Sequence, residues 1–338
     1  GLLLSSASAQ TTATTDPVGA MTVTVNADSD QYLGMPFRRA PLFEGLADDI
    51  QGTTVSSSGL SQVSEPSFLL VTSGSAEGKW ESVVSSAEGE VSLESSVVDF
   101  SMGDSFEIVP FWTLDTLFPE GGGVPQSSDP FAPSAFVLTY NPAFVGINQS
   151  ASAFYFYFDG TGGFQEGWYD NDDKGAGPKG NTVLSPEVAF AIRNNTPSPA
   201  EVSFGGSVPM SAQKVAIVGL QGAQQDTFLG NPLPVRLRLD ELNLVSSGAF
   251  EPSSDPFDPI DLLLIFSADS DLINPSAVKF FFYFDGTGGF PAGWYDNDNK
   301  GAGVQNDYEL EPGQAFVVRK RSSVSSIVDW SPETPYLP

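Results

Sequence analysis

Apolar and polar positions alternate strictly in Met21-Thr22-Val23-Thr24-Val25, the period-two pattern of a half-buried strand. Further along, β-branched and aromatic runs of four to eight residues stand between clusters of Ser, Gly, Thr and Pro. Helix signals are few, Phe43 to Ile50 being the best, with room for one turn or two. The chain therefore reads as all-β.

Its dominant pattern occurs twice. Phe154 to Gly177, FYFYFDGTGGFQEGWYDNDDKGAG, returns as Phe280 to Gly303, FFFYFDGTGGFPAGWYDNDNKGAG, at an offset of 126 residues. The offset holds outwards, from Ser127-Ser128-Asp129-Pro130-Phe131 to Ser253-Ser254-Asp255-Pro256-Phe257, and from Ala189-Phe190-Ala191-Ile192-Arg193 to Ala315-Phe316-Val317-Val318-Arg319. A second echo, Asp30-Gln31-Tyr32-Leu33-Gly34 against Asp226-Thr227-Phe228-Leu229-Gly230, has an offset of 196. Ser67-Phe68-Leu69-Leu70-Val71, followed by Gly74 and Trp80, reads as a degenerate third copy of the aromatic strand, so sub-units are expected at about 60 to 109, 136 to 193 and 262 to 319.

Each full copy predicts a hairpin. The aromatic strand, with rings on both faces, needs cover from a second layer, a neighbouring module or another subunit. Asp-Gly-Thr-Gly-Gly supplies a turn whose glycines take positive φ, and Gly-Trp-Tyr begins the return strand. The expected fold is a set of tandem β-sandwich-like modules: 17–122 (diverged), 123–199 and 200–321. Residues 1–16 precede them as a signal remnant or extended strand, and 322–338 follow as a C-terminal tail, whose Pro-rich stretch Asp329 to Pro338 has no counterpart and reads as a surface strap or a contact segment. Arg193 and Arg319 end apolar strands and are expected to pair with local carboxylates at the surface.

Composition narrows the chemistry. The 338 residues hold 42 Asp+Glu against 14 Lys+Arg, a formal charge of −28 that repels nucleic acid and anionic lipid. With neither Cys nor His, the chain lacks a Ser-His-Asp or Cys-His arrangement and an imidazole metal site. Acidic residues abound but none is singled out as a catalytic pair, so no catalytic residues are assigned and an enzyme is not expected. No apolar run reaches bilayer length. GLLLSSASAQ reads as the end of a secretory signal, with Ala7-Ser8-Ala9 in the small-x-small pattern; an apolar strand at the start of the chain is the other reading.

Two candidate sites remain. Asp170-Asn171-Asp172 and Asp296-Asn297-Asp298 place oxygen side chains at alternate positions before a glycine, and Asp159 and Asp285 add carboxylates across the hairpin, a donor set for Ca²⁺. Lys174 and Lys300 stand where a further oxygen ligand belongs, and the competing reading is an Asx-type turn whose lysine neutralises its own carboxylates. Trp168, Tyr169, Trp294 and Tyr295 are candidates for stacking on a glycan or for subunit contact.

The Asp16-Pro17-Val18-Gly19 opening with its Val-Thr-Val strand, the Asp-x-[Tyr/Phe]-Leu-Gly-x-Pro echo, Phe111 to Pro119, the glycine-tryptophan turn and Pro312-Gly313-Gln314-Ala315-Phe316 together resemble an uncharacterised family. These are exported β-repeat proteins of verrucomicrobial and planctomycete-type bacteria. The resemblance spans most of residues 16 to 321 and implies a secreted, envelope-associated protein. The expected function is a structural protein of the cell surface that assembles with copies of itself into an extracellular filament or layer by exchange of strands or terminal segments. The alternative is a Ca²⁺-dependent module binding extracellular polysaccharide.

Overall fold

The computed structural model describes residues 17–321 and 324–336, and within them the chain is all-β. The leader, residues 1–16, lies outside the described residues. Among these, one four-residue α-helix forms, Leu114–Leu117, capped reciprocally by Thr113 and Thr116. Phe43 to Ile50, expected to be helical, is extended instead. Phe43–Leu46 pairs with the Ser105–Ile108 stretch and Asp49–Gln51 with Thr54–Ser56, because a free sheet edge and a tight turn at Gly52 are both at hand.

Two five-stranded antiparallel sheets share one strand order. In the first, Ser29–Leu33, Phe190–Asn194, Ala135–Thr139, Ala153–Phe158 and Gly167–Asp170 lie side by side. In the second the succession is Gln225–Gly230, Ala315–Lys320, Leu262–Ile265, Lys279–Phe284 and Gly293–Asp296. The registers correspond, with Phe156 opposite Tyr169 and Phe282 opposite Tyr295.

A seven-stranded sheet contains the same succession in Phe43–Leu46, Ser105–Pro110, Ser67–Val71, Trp80–Ala87 and Glu90–Leu93, and Thr54–Ser56 and Asp49–Gln51 extend it. Here the sequence alignment shifts by one strand. Ser67–Val71 occupies the place of Ala135–Thr139, not that of the aromatic strand, and Trp80 opens the strand in the aromatic strand's place. This sheet sits in the chain between Ser29–Leu33 and the other four strands of the first sheet. That interruption accounts for the two offsets, 196 before it and 126 after it. It also means that a cut at residue 122 divides one sheet between two modules.

Two ribbons complete the layers. Val18–Val25 pairs with Ala200–Ser207 across eight residues, and Val215–Gly219 pairs with Ser326–Trp330. The expected strap therefore has a counterpart as far as Trp330, since Ser326–Trp330 stands 126 residues after residues 200–204 in the equivalent ribbon, and Trp330, 1% exposed, donates its indole N–H to Leu242 O at 2.6 Å. Each ribbon covers one face of a five-stranded sheet, Val23, Val25 and Phe204 meeting Val137, Trp168 and Ile192, and Ile217 and Trp330 meeting Leu263, Trp294 and Val318. Every such fully buried side chain contributes roughly 1.5 to 3 kcal/mol.

The two sheets turn their other faces to each other, Leu138 and Ala191 packing with Leu264 and Val317. Contacts across this face are reciprocal. Tyr140 stands edge-on to Phe228 with ring centroids 4.9 Å apart, and Phe266, 126 residues after Tyr140, stands edge-on to Tyr32 at 4.8 Å. The arrangement is that of an isologous dimer within one chain. The aromatic strands thus find cover in a ribbon on one side; on the other, Phe154 and Phe280 join the layer between the sheets, while Phe156, Phe158 and Tyr169, and likewise Phe282, Phe284 and Tyr295, cluster with one another.

Candidate functional site

Arg193 and Arg319 anchor the face between the sheets, and neither makes the surface pair expected of it. Arg193 grips Asp30, whose side chain is fully buried, through Nε at 2.7 Å and Nη2 at 2.8 Å; Arg319 grips Asp226 at the same two distances. Asn274 Oδ1 accepts a further bond from Arg193 at 2.8 Å, and Asn148 Oδ1 one from Arg319 at 2.8 Å. Each asparagine reaches over from the opposite module, and its backbone N–H donates to the aspartate it covers. Hydrogen bonding to Asp30 raises the Arg193 pKa above its ordinary value.

The predicted stacking residues are core. Trp168, Tyr169, Trp294 and Tyr295 are 0%, 5%, 2% and 7% exposed, so these rings offer no open face to a sugar or a subunit. The reason is the two-sided cover of the sheets: Trp168 packs against Phe118 beneath the ribbon while adjacent Tyr169 stacks on Phe156 on the opposite face.

In the acidic loops the carboxylates are bound up in turns. Asp159 accepts from Thr161 N–H at 2.9 Å and Asp285 from Thr287 N–H at 2.8 Å, bonds to the Thr side chain and backbone holding both carboxyls below the usual range. Gly160, Gly162 and Gly163 take φ of 82°, 77° and 93° to make the turn between. Asp170 and Asp296 each accept the N–H two residues on, from Asp172 and Asp298, at 2.9 Å. Lys174 donates to Asn171 and lies 5.8 Å from the Phe156 ring centroid, and Lys300 does the same with Asn297 and Phe282. The lysines thus cap the asparagines and do not neutralise the loop's own carboxylates. Asp296 has a separate partner, Lys279 Nζ at 2.7 Å, where the first copy has Ala153. Burial raises the Asp296 carboxyl, but the bonds from Lys279 and the loop N–H groups outweigh it and leave it lowered. Among the described residues no three acidic side chains are grouped to hold a metal ion.

What the repeat does expose is phenylalanine. Phe131 and Phe257, at equivalent positions, are 83% and 86% exposed, and Phe164 and Phe290, on the glycine turns, are 56% and 64% exposed. The sequence signal was present in Asp-Pro-Phe and Gly-Gly-Phe, where turn residues hold an aromatic outside any strand.

Two grooves run beside the ribbons at equivalent positions. One, of about 610 Å³, is lined by Met21, Val23 and Leu33 and walled by Asp269 and Glu311. The other, of about 140 Å³, is lined by Ala216, Val218, Phe144 and Val145. A third cavity, of about 70 Å³, lies where the three sheet units meet and is lined by Arg38, Glu187 and Gln213 among apolar neighbours. Burial lowers the Arg38 guanidinium to about 10, and burial together with Glu81 pushes the Glu187 carboxyl up.

No protein-family model matches the chain, and no curated protein or solved structure matches it. No helix among the described residues is long and apolar enough to cross a membrane.

Proposed function

We propose that this is a secreted structural protein of the bacterial cell surface, which assembles with copies of itself into an extracellular filament or layer. The observation that carries this reading is the duplicated exposure of phenylalanine. Phe131 and Phe164 in one module, and Phe257 and Phe290 in the other, stand in water while the remaining hairpin aromatics are covered. Exposed rings recurring at equivalent places mark contact points with other molecules. Because the chain carries the point twice, in reciprocally arranged modules, one subunit can engage two neighbours, which is the requirement for a polymer. The leader's apolar run with Ala7-Ser8-Ala9, and the resemblance to exported β-repeat proteins, support export. The acidic surface keeps unassembled subunits apart at low ionic strength.

The test is sedimentation velocity and negative-stain microscopy across a concentration series, comparing the native chain with Phe131→Ser/Phe257→Ser. The proposal expects the native chain to form regular assemblies and the variant to require about tenfold more protein, equivalent to the loss of ~1.4 kcal/mol per contact. Identical behaviour of the two proteins removes the support drawn from these residues.

A further inference from the structure

The ribbon formed by Val18–Val25 and Ala200–Ser207 has two strands only, so among the described residues nothing pairs with the outer edge of Val18–Val25. An unpaired edge is a row of free N–H and C=O groups that will accept another strand. Beside it lies the 610 Å³ groove, with Met21, Val23 and Leu33 as an apolar floor. The equivalent groove beside Val215–Gly219 is occupied by the chain's own loop: Ala143-Phe144-Val145 lines it, and Gln225 Nε2 donates to Phe144 O at 2.8 Å to hold the loop there. At the matching positions the open groove has Asp269-Ser270-Asp271. Asp269 and Asp271 accept from Asn26 Nδ2, at 2.7 and 3.0 Å, and place no apolar side chain over the groove, in whose floor Met21 is half-buried and Val23 and Leu33 are buried. Beside this loop one groove of the pair holds about 140 Å³, while the other, without it, holds about 610 Å³.

We infer that this edge accepts the Gln10–Thr15 segment of a second copy of the chain as an added strand. The inference rests on the self-assembly proposed above and names one of its contacts. Gln10-Thr11-Thr12-Ala13-Thr14-Thr15 is β-permissive and spans about 20 Å when extended, within the length of the eight-residue edge. Residues 1–15 carry no charge, so in a chain of net charge −28 this segment enters a groove walled by Asp269 and Glu311 without like-charge repulsion. It stays with the protein if processing follows Ala9. Pairing with its own chain is disfavoured by the turn that it needs. Pro17 O accepts Val208 N–H at 2.8 Å, so the ribbon already begins at Pro17, and a hairpin of Gln10–Thr15 onto the same edge needs a tight reversal directly before it. Val18, where the leader joins the ribbon, is 79% exposed and leaves the leader a path to a neighbour. Donor to acceptor, copy to copy, is a heterologous contact that propagates as an open chain.

The chain has no cysteine, which makes disulfide trapping specific. Full-length Thr12→Cys and Thr22→Cys proteins are mixed under mild oxidation, with Thr14→Cys covering a shifted register and Val84→Cys, on an exposed strand of the seven-stranded sheet, replacing Thr22→Cys as the control. The expected result is a cross-linked heterodimer of a leader and an edge variant at least tenfold above the control. A double variant that forms only an intramolecular disulfide shows the leader filling its own groove and overturns the second-copy donor. Assemblies of native protein without any cross-link overturn the groove as a contact while self-assembly stands. If the native protein never assembles, self-assembly and this contact fail together.

Discussion

Gly34 and Gly230 meet backbone to backbone on the axis that relates the two five-stranded sheets. A Cβ on Gly34 would stand 2.6 Å from Gly230 Cα, and one on Gly230 would stand 2.4 Å from Gly34 Cα. The two residues are equivalents, 196 positions apart, and Gly34 N–H donates to Gly313 O at 2.7 Å. Contact between equivalent residues is what a two-fold relation requires of positions on its axis. The second sheet thus forms with the first an internal dimer whose face is no longer free for other copies.

Gly34→Ala should therefore cost about 1 to 3 kcal/mol, the range for forcing atoms into a packed core, because backbone and not a movable side chain blocks the new methyl. Gly175→Ala, with nothing within 4 Å, serves as the control and should be near neutral. Urea denaturation of both measures the difference.

Removing Arg193 strands the fully buried Asp30 carboxylate, and Arg193→Ala should lose about 3 to 5 kcal/mol. Arg236, 60% exposed beside Glu309 and Glu311, makes pairs of the ordinary surface kind, and Arg236→Ala should lose less than about 1 kcal/mol. Equal losses in the two variants would contradict a buried clasp.

Glu187 gives the pH dependence a definite sign. Its folded-state pKa is raised by burial and by Glu81, so the folded protein holds that proton more tightly than the unfolded chain. Its stability contribution is intact below the unfolded value of about 4.3 and falls as pH rises through the folded value. Glu187→Gln should therefore stabilise the protein at pH 7 and be neutral near pH 4, as read from denaturation midpoints at the two values. Asp296 runs the other way: its lowered pKa keeps its contribution above about pH 4 and loses it as the solution becomes more acidic.

With their carboxylates engaged by turn N–H groups, the Asp170 and Asp296 loops are folded by their own hydrogen bonds. Millimolar Ca²⁺ should leave the thermal midpoint unchanged, and soluble glycans should leave the emission of the buried Trp168 and Trp294 unchanged. A Ca²⁺-dependent rise in melting temperature would reinstate a metal site.

Much of the fold was legible in the sequence because it rests on period and repetition. Strict alternation marked Met21 to Val25, and identical spacing marked both hairpins and their glycine turns. The two offsets, 196 and 126, were visible too, but that a whole sheet lies between them depends on Ser29–Leu33 pairing with Phe190–Asn194, a long-range contact with no local signature. The same holds for Ser326–Trp330, whose partner is over a hundred residues away. Trp168 and Tyr169 misled for a different reason. Adjacent residues on a strand point to opposite faces, so both can be buried only where both faces are covered, and cover is a property of layers and not of strands. The groove beside Val18–Val25 shows in sequence only as Ser270 in place of Phe144, a difference that acquires meaning once the two loops are seen at equivalent places.

The central claim is assembly between copies, and negative-stain microscopy of the native protein over a range of concentrations tests it most directly. Regular filaments or sheets that dissolve when residues 1–15 are removed are the predicted result. Dispersed single particles at every concentration, with the leader intact, would contradict it.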